Sequence, residues 1–121
     1  MINFLDQKIL GITPPAAIVN NASFTTAEVD SVQNGVKYDW ASVYVYLGAT
    51  DVAVTSCKIQ ESDISGSGFI DITGANGPAS LSPTATDDNK FFVFHIDMRK
   101  RKRYLDLVLT IGSGSTGGFV T

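Results

Sequence analysis

The chain has 121 residues, of which 44 % are hydrophobic and 17 % charged, with a formal net charge of −3. That apolar content excludes a disordered chain, and a single domain of this length buries roughly 65–70 % of its unfolded surface, enough for one core without staples. Cys57 is the single cysteine, which excludes an intramolecular disulfide and any metal cluster built on Cys pairs, and suits a reducing cytoplasm.

Residues 1–15 read as an N-terminal arm. Ile9, Leu10 and Ile12 are too apolar for a solvated tail, and Pro14-Pro15 forbids a continuing helix. Such an arm packs on its own domain or on a neighbour, so Ile2, Phe4, Leu5, Ile9 and Leu10 are expected partner contacts. The arm lacks the basic start of a signal peptide, and no stretch approaches the ~20 apolar residues of a membrane helix.

Residues 16–121 read as one domain of short strands split by turn chemistry. Ala17 to Asn20 is expected as the first strand, ended by Asn20-Asn21, and Ser23 to Asp30 as the second. Asn34-Gly35 is a strong turn signal, since both residues tolerate positive φ. Trp40 to Leu47 alternates: Ala41, Val43, Val45 and Leu47 take one face, and Trp40, Ser42, Tyr44 and Tyr46 the other. Core is the expected fate of that aromatic row; exposed, it would stack on sugar rings or anchor a protein interface.

Ser56 to Glu61 is expected as a strand with Cys57 and Ile59 inward, and Phe69 to Thr73 as another with Ile70 and Ile72 on one face. Gly74 to Asn89 is the longest connection. Lys90 to Met98 is a strong strand whose four successive apolar residues, Phe91 to Phe94, imply burial on both faces. Tyr104 to Ile111 sets Leu105, Leu107, Leu109 and Ile111 on one face, and Phe119-Val120 begins a final strand. About eight short antiparallel strands and no convincing helix predict an all-β fold, a jelly-roll-like β-sandwich with an extended N-terminal arm.

Five consecutive cations, Arg99, Lys100, Arg101, Lys102 and Arg103, stand between the last two strong strands, where a hairpin is expected. Only four basic residues lie elsewhere, against 12 acids, so the chain reads as an acidic body with one basic spot. On an extended backbone Arg99, Arg101 and Arg103 would share one face. The run is expected to contact acidic groups on a partner, or to act as a solvated turn that resists edge aggregation. Nucleic acid is not an expected partner, because one basic spot on an acidic chain makes no groove.

Chemistry finds little footing. His95 is the single histidine and has no nucleophile beside it in the sequence. Asp87-Asp88-Asn89 lacks the spacing of a calcium loop, and Ser65-Gly66-Ser67-Gly68 lacks the lysine and helix of a phosphate loop. No catalytic residue, metal or cofactor is expected, and the chain reads as a binding module without enzymatic activity.

Several segments carry a resemblance. Tyr38-Asp39-Trp40-Ala41, Val43 to Leu47 with Gly48-Ala49-Thr50-Asp51, and Lys58-Ile59-Gln60-Glu61-Ser62-Asp63 form the first group. Ala85-Thr86-Asp87-Asp88-Asn89-Lys90 and the run from His95 to Leu105 through the five cations form the second. Together they resemble small virion proteins encoded in tailed-phage head-gene clusters. The resemblance implies a capsid decoration or cement protein on the virion surface, made in the bacterial host cytoplasm. It also implies the major capsid protein as partner and a homo-oligomer, with a trimer favoured. The competing readings are a carbohydrate- or receptor-binding fibre module built on Trp40, Tyr44 and Tyr46, and a head–tail joining component.

Overall fold

In the computed structural model, residues 8–76, 84–114 and 118–120 are described. Strands β1 (Ala16–Ala17), β2 (Ser23–Thr25), β3 (Val29–Asp30), β4 (Val32–Gln33) and β5 (Val36–Lys37) are short. Strands β6 (Trp40–Leu47), β7 (Val54–Ser62), β8 (Ile70–Asn76), β9 (Lys90–Asp97) and β10 (Tyr104–Ile111) are long, and β11 (Gly118–Val120) is short again. The described residues contain no α-helix; one 3-10 turn covers Met98–Lys100. None of their helical segments is long and apolar enough to cross a membrane.

Two sheets form. Sheet A has the order β1-β11-β6-β9, and sheet B the order β2-β10-β7-β8, with β3 also paired to β10. Every named strand pair is antiparallel. The alternation read in the sequence explains the layering. Val45 and Leu47 of β6 and Ile96 of β9 turn inward from sheet A. They meet Cys57 and Ile59 of β7, Ile72 of β8, and Leu105, Leu107, Leu109 and Ile111 of β10. Burying one such side chain is worth about 1.5–3 kcal/mol. The result is an all-β sandwich with one shared core.

The Asn34-Gly35 turn forms as expected, with φ of 52° and 76°, and joins β4 to β5. Trp40 to Leu47 is a strand over the full span expected. Other expectations need correcting. Ser23 to Asp30 is two strands, because Thr26 breaks the run: its hydroxyl accepts from the Leu107 N–H while its own N–H donates to the Leu107 carbonyl. The strand expected over Ala17 to Asn20 is confined to Ala16–Ala17, since Asn20 and Asn21 take positive φ.

The strand at residues 90–98 is not buried on both faces. Phe92 and Phe94 pack against the core, while Phe91 is 68 % exposed and Val93 42 %. No described element packs over that outer side, so parity alone decides which residues go in. Nor does the basic run turn a hairpin. Strand β9 pairs with β6 in sheet A and β10 with β7 in sheet B, so residues 98–103 cross from one layer to the other.

Of the arm, residues 8–15 hold no strand; Ile9 is 78 % exposed, Ile12 is exposed and Leu10 half-buried. Gly11 passes so close to Val29 that a Cβ there would lie 3.2 Å from a valine methyl. The expected contacts Ile2, Phe4 and Leu5 lie outside the described residues.

Candidate interaction surface

The basic run was expected to reach for a partner's acids. Most of it is engaged within the chain. Asp97 caps the 3-10 turn by accepting from the Arg99 N–H, and it also takes the Arg99 guanidinium in two-pronged fashion, Nε to Oδ1 at 2.9 Å and Nη2 to Oδ2 at 2.5 Å. Those bonds hold the Asp97 carboxyl at about 2. Arg103 grips Asp30 the same way at 2.9 and 2.8 Å, and this bonding lowers the Asp30 pKa. Glu61, a buried residue, accepts from the Arg101 guanidinium at 3.3 Å and from the Lys102 N–H at 2.9 Å. The Lys102 ammonium stands 3.8 Å from Asp63.

Four of the five cations are therefore neutralised, and Lys100 is exposed without a charge partner among the described residues. The turn prevents the shared face expected of Arg99, Arg101 and Arg103, because Arg99 lies in a 3-10 turn while Arg101 and Arg103 follow it. Met98, fully buried, donates its N–H to the Asp39 carbonyl at 2.7 Å and plugs the core at this corner. The run is first a latch between layers.

The outer face of sheet A is the more conspicuous surface. Register aligns Trp40 with Asp97, Ser42 with His95, Tyr44 with Val93, and Tyr46 with Phe91. On this face Trp40 is 57 % exposed, Tyr44 42 %, Phe91 68 % and Val93 42 %. The core position expected for the aromatic row is thus corrected: its neighbours of opposite parity already fill the interior. The Tyr46 and Phe91 rings lie 5.1 Å apart, and the Arg99 guanidinium sits 5.9 Å from the Trp40 ring centre. Arg99 thereby joins the aromatic face to the basic corner, where Asp97, Arg99, Lys100 and Arg101 line a shallow open depression. The Tyr44–Val93 and Tyr46–Phe91 rungs form an apolar patch, which the Ser42–His95 rung separates from Trp40, and this face is the candidate interaction surface.

Phe91 and Val93 were not among the residues singled out as contacts. Their parity, opposite to Phe92, Phe94 and Ile96, was the signal that would have found them.

The remaining candidates are placed by strand position and internal hydrogen bonds. His95 is exposed on the outer face, its Nδ1 3.1 Å from the Ser42 hydroxyl. Cys57 is buried, and burial pushes its thiol up to about 11. Asp87 accepts from Thr84 and Lys90, Asp88 from the Thr50 N–H, and Asn89 from the Tyr46 hydroxyl. No group of three or more His, Cys, Asp or Glu among the described residues is placed to hold a metal ion.

Fold and surface together define an all-β sandwich with one exposed aromatic face. Comparison with protein families, with curated proteins and with solved structures finds no match.

Proposed function

We propose that this chain is a non-catalytic structural protein of a phage virion that binds and stabilises the capsid shell. The observation that carries the reading is the outer face of sheet A, where Trp40, Tyr44, Phe91 and Val93 stand exposed on a rigid two-layer body. Aromatic anchors on a flat, preorganised surface suit protein docking, and many weak copies on a symmetric shell add by avidity. The resemblance of residues 38–63 and 85–105 supports the major capsid protein as partner, and a homo-oligomer as the working form. The strand order supports a jelly roll. Counting β2 and β3 as one strand and leaving the small β4–β5 hairpin aside, the sheets run first-eighth-third-sixth and second-seventh-fourth-fifth.

The test is to locate the chain in purified particles by electron cryomicroscopy and to measure its binding to empty heads by cosedimentation. Density on the outer shell, with retention on empty heads, is the expected result. A chain found only in the tail would overturn it.

One observation also favours a second reading, a carbohydrate- or receptor-binding module. Trp40 presents an exposed indole on the same strand face as Tyr44, and exposed aromatic rings are surfaces on which sugar rings stack. A change in Trp40 fluorescence with a glycan panel would support it, and silence across the panel would remove it.

A further inference from the structure

The β9 strand ends sheet A, and no described strand pairs with its far side. The hydrogen-bond phase of that edge can be read. The Met98 N–H bonds to the Asp39 carbonyl, which continues the β6–β9 register by one residue. Antiparallel ladders alternate between bonded and non-bonded pairs, so Lys90, Phe92, Phe94 and Ile96 turn their backbone groups toward β6. The side-chain contacts between Ser42 and His95 and between Tyr46 and Phe91 fit this phase, since non-bonded pairs bring side chains closer. Phe91, Val93, His95 and Asp97 therefore aim their N–H and C=O groups outward.

Natural proteins blunt such edges with charge, proline or bulges. Six consecutive residues here, Phe91 to Ile96, carry no Lys, Arg, Asp, Glu or Pro, and the β6–β9 register runs without a bulge. We propose that this edge pairs with β9 of a second copy of the chain, antiparallel about a two-fold axis, so that the two A sheets become one.

The choice of a second copy rests on self-complementarity. Opposed residues must share a sheet face, so the two position numbers in a pair sum to an even value. Centred on Val93, the pairing sets Val93 against Val93 of the second copy and Phe91 against its His95. On the inner side it sets Phe92 against Phe94 of the second copy. Asp97 faces Asn89 and Lys90 faces Ile96, so no like charges oppose. The edge is eight residues, or ~27 Å. With a sandwich depth of about 20 Å, the footprint is roughly 500 Å² per copy, which places the contact among weak, reversible interfaces. Such a contact makes dimers, not the threefold assembly that the resemblance implies.

Val93 is the position to test, because its side chain is half out and its backbone N–H is not used by β6. Val93→Lys and Val93→Glu each place like charges across the axis. Sedimentation velocity over a micromolar concentration series should show wild type passing from monomer to dimer, and each variant associating about tenfold more weakly. An equimolar mixture of the two variants should restore the dimer, and far-UV circular dichroism should show unchanged strand content in both. Wild type that stays monomeric, variants that associate as wild type does, or a mixture that fails to restore the dimer would each overturn the inference. Isolated protein is used throughout, so the outcome is separate from that of shell binding.

Discussion

Glu61 accepts the Arg101 guanidinium from within the sandwich, so a carboxylate on sheet B fastens the segment that arrives from sheet A. The same carboxylate also takes the Lys102 N–H. Removing a buried, hydrogen-bonded partner strands the groups it satisfied. Glu61→Ala is therefore expected to cost about 2–4 kcal/mol in urea unfolding, and Glu61→Gln, which keeps an acceptor, clearly less.

Neutralising the basic run by Arg99→Ala, Arg101→Ala and Arg103→Ala should lower stability as well as any partner affinity. A solvated spot would leave unfolding untouched. Here each arginine holds a named carboxylate, so the triple variant is expected to unfold at lower urea than wild type. The Arg103→Ala part should be modest, because the Arg103–Asp30 pair is partly exposed and solvent screens such pairs.

Asp106 gives a prediction of opposite sign to the other aspartates. It is buried on β10, its Oδ1 lacks a hydrogen-bond partner among the described residues, and burial with the nearby Glu28 charge raises its pKa. A carboxyl whose folded pKa is raised adds stability below its unfolded value, near 3.8, and loses it as pH climbs through the folded value. Asp106→Asn should therefore stabilise the protein at pH 7, by about 1 kcal/mol, and bring no gain at pH 3. Thermal melts at the two pH values check this.

Asp30, Asp71, Asp87 and Asp97 run the other way. Hydrogen bonds from Arg103, Gln60, Lys90 and Arg99 respectively lead in lowering their pKa values. Their contribution is present above the unfolded pKa of 3.8 and lost as pH falls through the folded values, about 2 for Asp97. Melting temperature should fall between pH 5 and pH 2, and the Arg99→Ala, Arg103→Ala double variant should show a shallower fall.

The layered core was legible because strand parity is a strict rule. Leu105 to Ile111, Cys57 with Ile59, and Val43 to Leu47 all take the sides that their alternation assigns. What misled was a run without alternation. Phe91 to Phe94 contains two inward and two outward residues, and hydrophobicity alone does not say that one side lacks a cover. The basic run misled for a different reason. Two of its acceptors, Asp30 and Glu61, lie 73 and 40 residues away from their arginines, and only the crossing between sheets brings them together. Local sequence carries no record of such pairings.

The central claim is that the outer face of sheet A docks on the shell, and cosedimentation of a Trp40→Ser, Tyr44→Ser, Phe91→Ser variant with empty heads tests it most directly. Those side chains point away from the core, so the variant should fold, with a modest drop in melting temperature from the lost Tyr46–Phe91 and Arg99–Trp40 contacts. The account predicts at least about a hundredfold loss of head binding for it. Binding equal to wild type by this folded variant would contradict the account.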